Sequence, residues 1–534
     1  MKPTQQADNQ FDVIVVGSGM GGMTAATILA QLYGKRVLLV EKHWTFGGLT
    51  HEFSRGKVSW DVGLHYVGQM QPGSPTRRIF DFVTGGGVRM NPMPDPYDHF
   101  VFPDGRFAMH NAEARTIDKL VEEFPDEERA IRQYYRTIHR TRQYFNLYIG
   151  VHNFMPGFLK PLLDAYGRLS GAKPNVTLQT YLDTHFRNNR LKGILAGIWG
   201  DYGVMPRDAS FLVHAVLTDH YLGGAFYPEG GASAIGQNAR RVLDEHGATI
   251  LLSTEVTDIL IEQTKAVGVR VRRKDGSTGV YYAGHILSGI GAEATYNRLL
   301  REQHFPAIRA GLARLTNPHA FLGLYLSLTD SPATLGFTGA NVWHFGSTDQ
   351  NENAVSVHDA RFPGLMYLSF PTLKGHPSPR HTVEVLSVIP YADVAQWHER
   401  PWRKRGTDYE QLKSTIRDRL LTRLEAHYPG FGALVESAEV STPLSLEFFT
   451  ARRLGATYGL TATPERFAMP WLKPQTPIRN LYLCGQDVCV SGIVGAMMGG
   501  VVGAAAVRGS LGFFEIMSSI SRQRSRTERR SGAV

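Results

Sequence analysis

Residues 11–42, FDVIVVGSGMGGMTAATILAQLYGKRVLLVEK, constrain the fold more than any other stretch of this chain. DVIVV is an unbroken apolar run of the kind buried on both faces of a parallel sheet. It runs into Gly17-Ser18-Gly19-Met20-Gly21-Gly22, then a helical pattern, then a second apolar strand that ends at Glu41, 24 residues after Gly17. Strand, glycine turn, helix, strand and terminal acid together form the dinucleotide-binding fingerprint. Gly17 permits the tight turn, Gly19 lets the backbone approach a pyrophosphate, and Gly22 lets the helix pack close to the strand. The helix N-terminus offers free N–H groups and partial positive charge to the phosphates. Glu41 is placed to accept hydrogen bonds from ribose hydroxyls, and an acid there disfavours a 2′-phosphate.

The fingerprint alone does not separate FAD from NAD, but two further segments do. Lys42 opens KHWTFGGLTHEF, in which Gly47-Gly48 suits a loop passing close to an extended nucleotide. Far downstream, NLYLCGQDVCVSGIVGAMMGGVVGAAAV (480–507) reads as a strand, a GQD turn and a glycine-rich helix. Its 20 residues between Asp487 and Arg508 are nominally long enough to span a bilayer. Its five glycines and lack of bulky Leu or Phe predict a buried helix at a cofactor instead. Distant segments converging on one elongated ligand favour FAD.

A chain of 534 residues is expected to form two domains, or three small ones. Only two cysteines occur, Cys484 and Cys489. That excludes a disulfide framework, and a reducing compartment and a packing role follow. Zinc-type ligand spacing is missing, and no metal is expected. MKPTQQADNQ carries no apolar signal region. The net charge is +9, partly from the tail, where Arg522, Arg524, Arg526, Arg529 and Arg530 outweigh Glu528. That tail reads as solvated, and no nucleic-acid partner is expected. No GxSxG elbow points to a hydrolase, and no second nucleotide fingerprint is present, which leaves the electron donor open.

The chain resembles the FAD-dependent amine-oxidase-like superfamily, in its phytoene desaturase, carotenoid isomerase and retinol saturase branch. GSGMGG with Glu41 and Gly47-Gly48 matches the superfamily's first motifs. SWDVGLHYVG (59–68) and YGVMPRDASFLVHAVLTDHYLGGAFYPEGGAS (202–233) resemble the retinol saturase group, and LYLCGQDVCVSGIVGAMMGG its C-terminal flavin motif. The resemblance implies an α/β fold: a Rossmann-type FAD-binding domain assembled from 1–75, 226–292 and 471–515. An α+β substrate domain with an antiparallel sheet would take 76–225 and 293–470, followed by a basic tail, 516–534. The first substrate piece reads as largely helical, and AFLGLYLSL, GLMYLSF and TVEVLSVIP read as strands of the second. The implied FAD contacts are Gly17, Ser18, Gly19, Met20, Gly21, Gly22, Glu41, Lys42, Gly47, Gly48, Leu49 and Thr50. Val256 joins them at the adenine edge, and Gly485, Gln486, Asp487, Gly492, Ile493, Val494 and Ala496 at the ribityl and ring end, with the Asp487 carboxylate on the ribityl hydroxyls.

The implied activity is oxidoreduction at a carbon–carbon double bond of a lipophilic polyene, foremost saturation. Polyene isomerisation or desaturation, amine oxidation and an FAD-binding carrier of the escort-protein type are the alternatives. Saturation needs a hydride donor and an acid. His65, from the DVGLHY segment, is the first candidate acid and Tyr66 the second, with His214 and Tyr458 behind them. A tunnel for such a substrate would use aromatics such as Tyr144, Phe145, Tyr148 and Phe154. The expected location is cytoplasmic, with peripheral membrane contact through Leu511, Phe513, Phe514, Ile516, Met517 and Ile520 beside the tail arginines.

Overall fold

A computed structural model describes residues 9–155 and 159–531. Strand β1 (Gln10–Val16), helix α1 (Met20–Tyr33) and strand β2 (Val37–Val40) open the chain. Val13, Ile14 and Val15 are fully buried, as are Val37, Leu38 and Leu39, because both faces of this sheet are covered. Helix α1 stops at Gly34, whose left-handed φ of 59° lets its N–H bond back to the Ala30 carbonyl and the Lys35 N–H to that of Leu29.

β1 and β2 run parallel, with Val13 opposite Val37. Strand Thr249–Leu251 pairs in parallel on the far side of β2. On the other side of β1 lies the parallel strand β3 (Thr278–Ser288), Val13 opposite His285. The sheet continues antiparallel through Lys265–Arg273 and Thr254–Glu262, a hairpin that turns at Gln263. Strand β4 (Leu481–Leu483) pairs in parallel with β3. One seven-stranded sheet is thus assembled from three distant stretches.

Helix α2 (Gly492–Arg508) seals the assembly by lying on α1. A Cβ on Gly499 would stand 1.9 Å from the Gly485 carbonyl oxygen, and one on Gly500 would stand 2.4 Å from that of Gly21. A Cβ on Gly21 would meet the Gly485 Cα at 2.4 Å. The glycines of 480–507 are therefore contact points of backbone on backbone. No single helix among the described residues is long and apolar enough to cross a membrane; only a pair bent by 119°, α2 with Gly512–Arg522, matches by length and composition.

The last helix, α3 (Gly512–Ser531), folds back over the first unit. Ile516 and Ile520 are buried in the core that includes Ile79, Phe80 and Val83, and Phe513 meets Phe154 with ring centroids 5.9 Å apart. Arg508 lies over the Tyr33 ring. The row of expected membrane anchors is thereby split, since most of its apolar face covers its own domain. Leu511 and Phe514 stay exposed, at 66% and 57%. The side chains of Arg524, Arg526, Glu528, Arg529 and Arg530 lie outside the described residues.

A second seven-stranded sheet runs in the order Val435–Ser441, His319–Leu328, His381–Pro390, Leu365–Ser369, Asn341–Phe345, Asp98–Phe102, Gly105–Met109. Its pairs are antiparallel except Asn341–Phe345 with Asp98–Phe102. Along His319–Leu328 the period of two separates the faces. Leu322, Leu324, Leu326 and Leu328 pack in one core with Ile416, Leu420 and Leu424 of helix Thr407–His427, while Tyr325 faces the cavity described below. The hairpin Asp98–Met109 departs from the helical reading of the first substrate piece. DHFVF and RFAM alternate around a Pro-Asp-Gly turn, and the sheet takes both strands. A small sheet of Val67–Gly68, Ala225–Pro228 and Met90–Pro92 joins segments on both sides of the expected borders at 75 and 226.

Candidate active site

A cavity of about 700 Å³ runs between the two large sheets. Its lining includes Gly17, Gly19, Met20, Glu41, Lys42 and Val256 at one end and Gln486, Gly492, Ile493, Ala496 and Tyr458 at the other. Gly48, Leu49 and Thr50 also reach it. A single elongated ligand can therefore touch both glycine turns.

Local bonding explains why the loops meet. Ser18 donates to Glu41 Oε2 from its backbone N and its Oγ, both at 2.8 Å, and the His43 N–H donates to Oε1 at 2.7 Å. The Gly47 N–H in turn donates to Ser18 Oγ at 3.0 Å. Glu41 thus ties the first turn to the second while remaining on the cavity wall. Ser18 and Gly47 serve this clamp from behind the wall. Gly21, Gly22 and Gly485 serve the close backbone approaches, and Val494 packs against the core under the sheet.

Four features fit the cavity for a nucleotide with a polar ring. Nothing stands within 4 Å of a Cβ built on Gly19, so there is space in front of the turn. α1 begins at Gly19 and α2 at Ser491, neither with a side-chain cap, so both helix starts keep free N–H groups and positive partial charge. Gln486 Nε2 is buried without a hydrogen-bond partner, and so is Thr457 Oγ1. Both residues line the cavity, where a ligand acceptor would satisfy them.

Asp487 is turned away from this wall. Its Oδ2 accepts from the Ala292 N–H at 2.8 Å and its Oδ1 from that of Leu460 at 3.2 Å. It pins the turn, and Gln486 takes the place on the wall that was expected of the carboxylate. Arg466, buried, holds the same turn by donating to the carbonyls of Gln486 at 2.6 Å and Leu460 at 2.7 Å.

His65 and Tyr66 also stand behind the wall. Val62 and Gly63 line the cavity, and the chain then turns inward. His65 Nδ1 lies 2.7 Å from Glu384 Oε2, and burial beside Lys374 pushes its pKa down to about 3. The Tyr66 hydroxyl donates to Asp201 at 2.6 Å and Asp98 at 3.1 Å, and burial next to those carboxyls raises its pKa far above the ordinary phenol value. His214 sits between the Tyr134 and Tyr202 hydroxyls, away from the cavity. Of the four expected donors, Tyr458 reaches the wall. Cys484 and Cys489 are buried, and burial lifts their thiols to about 12 and about 11, which suits packing rather than chemistry.

His65 belongs to a buried polar cluster that sequence reasoning missed. Glu384 Oε1 accepts from the Asp61 N–H at 2.7 Å. Asp61 accepts from Tyr227 Oη and from the Ala232 N–H. Lys374 Nζ donates to the His65 carbonyl and Ser369 Oγ, both at 2.7 Å, and lies over the Tyr227 ring. His376 Nε2 approaches Glu52 Oε2 to 3.3 Å, an ion-pair distance without hydrogen-bond alignment. Donor atoms of Glu52, Asp61 and His376 come within 4.8 Å of one another. Tyr227, Ala232 and Ser233 already occupy carboxylate oxygens of this trio, so the set is a hydrogen-bonded cluster rather than an open metal site. Burial raises Glu384 to about 8 and lowers Lys374.

Aromatic residues close the nucleotide end. Trp402 stacks on Phe448 at 4.8 Å, Phe449 meets Trp44 edge-on at 5.7 Å, and Trp44 is 56% exposed. Lys42 Nζ donates to the Phe448 carbonyl at 3.3 Å. Segments 402–403 and 446–452, far from Glu41 in sequence, therefore complete the wall.

Residues 15–83 match the family described as NAD(P)-binding Rossmann-like domain. The chain is 31% identical to the all-trans-retinol 13,14-reductase of Rattus norvegicus over 93% of its own length and 86% of that protein's. It is 26% identical to the chloroplastic prolycopene isomerase of Daucus carota over 94% of its own length and 81% of that protein's. In fold it is similar to cyclohexylamine oxidase from Brevibacterium oxydans, with a TM-score of 0.58 at 15% identity, covering 96% of this chain and 99% of that one. The glycine turns, the mixed sheet they sit on and the full-length likeness agree: this chain is an oxidoreductase of the FAD-dependent amine-oxidase-like superfamily, in its retinol saturase branch.

Proposed function

We propose that the protein holds FAD in the cavity and reduces a carbon–carbon double bond of a lipophilic, retinoid- or carotenoid-like polyene. The observation that carries this reading is the likeness to the retinol 13,14-reductase along nearly the whole chain, together with a cavity that joins both glycine turns. Glu41 would take the ribose hydroxyls, the α1 start the pyrophosphate, and Gln486 with the α2 start the ring end. When bound, the flavin supplies hydride chemistry. The chain's own residues orient the polyene, exclude water and deliver a proton.

The test is anaerobic. Purified holoprotein is photoreduced and mixed with all-trans-retinol or a carotenoid. Return of the oxidised flavin spectrum with a dihydro product is the expected result. A changed isomer profile with the flavin still reduced would replace reduction by isomerisation, the reading favoured by the likeness to prolycopene isomerase. No response at all would point to a carrier. The electron donor is proposed to be external, a separate protein or a transiently bound nicotinamide.

Peripheral membrane contact from a cytoplasmic location belongs to the same proposal and rests on the exposed Leu511 and Phe514. Replacing both by Glu is expected to lower cosedimentation with anionic vesicles; unchanged binding removes these residues from the surface.

A further inference from the structure

A proton donor for a polyene must reach the cavity and have a partner behind it that can recharge it. Five acids line the wall: Glu41, Glu52, Glu255, Glu410 and Glu439. Glu41 is held by Ser18 and His43. Glu255 is paired with Arg272 and Arg298, Glu410 with Lys413, and Glu439 with Arg55. A carboxylate beside a permanent cation stays ionised and is a poor acid. Glu52 is the one of these five whose ion-pair partner is an imidazole, that of His376, whose side chain is 1% exposed. Burial pushes the Glu52 carboxyl up, but pairing with His376 and bonding to Ser233 outweigh it and hold the carboxyl below its ordinary range, while the acids around His376 hold that imidazole above its own, so the resting proton sits on His376 and is available to Glu52.

Behind His376 lies the rest of the sealed cluster. A carboxylate oxygen of Asp61 lies within 4.8 Å of side-chain polar atoms of both Glu52 and His376, Tyr227 bonds to Asp61, and Glu384 links Asp61 to His65. Lys374 stands among them. The groups that act electrostatically on Glu52 and His376 are thus His51 from the loop after the second glycine turn, Asp61, Tyr227 and Glu384. Glu52 itself follows Gly48 by four residues, on the strand that leaves that turn.

We infer that Glu52 is the catalytic acid at the cavity wall and that His376 recharges it from the Asp61–Glu384–Lys374 cluster. This rests on the double-bond reduction proposed above. In that reaction one carbon of the double bond receives the hydride supplied by reduced flavin, and the other receives the proton from Glu52 Oε. The π pair becomes two C–H bonds with the hydride pair, the flavin is left oxidised, and Glu52 is left as carboxylate. His376 returns the proton, and water entering between turnovers restores the cluster. Before the step, flavin reduction adds negative charge to the cavity, which raises the proton affinity of a carboxylate on its wall.

Two readouts test this on the holoprotein. In anaerobic stopped flow, E52Q is expected to keep its flavin and its photoreduction while reoxidation by the polyene slows about 100-fold or more. E52D should recover part of the rate, and H376Q should shift the pH profile. In infrared difference spectra of flavin reduction without polyene, wild type should gain a protonated-carboxyl band, sensitive to D2O, that E52Q lacks. An E52Q rate within about twofold of wild type overturns the assignment and leaves the reductase reading intact. If wild-type reduced flavin ignores every polyene, the reductase reading falls. The infrared band then decides for Glu52: its loss in E52Q supports proton exchange there, and its persistence overturns it. Should E52Q fail to hold flavin, E52D and H376Q carry both readouts, and wild-type behaviour in both overturns the assignment.

Discussion

Gly499→Val is expected to give protein that is insoluble or devoid of flavin, while Gly19→Val gives folded protein that is devoid of flavin. By sequence Gly19 belongs to the first cofactor turn and Gly499 to the glycine-rich helix beside the cofactor, and they fail for different reasons. The Gly499 Cβ would stand 1.9 Å from a backbone oxygen of the Gly485 turn. No rotamer relieves a clash that involves the Cβ itself, so α2 must lift from the Gly485 turn. Ordinary overpacking costs about 1–3 kcal/mol, and a backbone-to-backbone seam has less freedom to yield. At Gly19 the φ of −60° is open to any residue, and nothing lies within 4 Å of the Cβ. Valine there fills the space where phosphate would approach the helix start. Circular dichroism melting and the visible flavin spectrum of the two purified variants separate the outcomes. A yellow, stable Gly499→Val protein would contradict the seam.

Lys374→Met is expected to lower the apparent melting temperature by about 3–5 °C near pH 8, the effect of losing about 3–5 kcal/mol from a broken buried ion pair. Its ammonium supports the His65 carbonyl and Ser369, and it lies beside Glu384 and Asp61, both fully buried. Burial holds Glu384 up to about 8, above its ordinary carboxyl range. A raised carboxyl pKa means that the folded state binds more protons than the unfolded state between about pH 4.5 and 8. The stability it contributes is present at low pH and lost as pH rises through the folded value. Without the ammonium that loss is larger, so the deficit should shrink at pH 5, where the carboxyls are neutral. The double variant Lys374→Met, Glu384→Gln should recover part of the loss at pH 8, because neither charge is left alone. Equal deficits at both pH values would show that packing, not charge, is what Lys374 contributes.

The nucleotide half of the molecule was legible because its chemistry is local. The run from DVIVV to Glu41 specifies strand, turn and helix within 30 residues, and the hairpin at Gln263 and the strand LYL follow from equally short patterns. The glycines of 480–507 announced close contact but not with what. Asp487 and Gln486 were exchanged in role because adjacent residues in a turn point apart, and only the bonds from Ala292 and Leu460 decide which one faces inward. His65 was misplaced for a similar reason: its partner Glu384 is 319 residues away. Glu52 could have been noticed, since it is the first acid after the Gly47-Gly48 pair. The Trp402 and Phe449 wall carries no short-range signal at all. The hairpin Asp98–Met109 was missed although its Pro-Asp-Gly turn was in plain view.

The sheet that begins with β1 acquires β4 from residues 481–483, and Gly21 of α1 meets its partners only at Gly485, Ala496 and Gly500. During translation, α1 emerges with its glycine face bare, and 479 residues separate Gly21 from Gly500, which covers it. At about 5–20 residues per second, this is a delay of roughly 20–100 s. The nascent chain cannot close its cofactor domain before residues 481–500 have emerged, so the domain begun first is finished late. The emergence of residues 481–500, rather than that of the fingerprint itself, sets the moment at which the protein can capture its nucleotide, and until then the β3 edge that takes β4 and the flank of α1 stay uncovered.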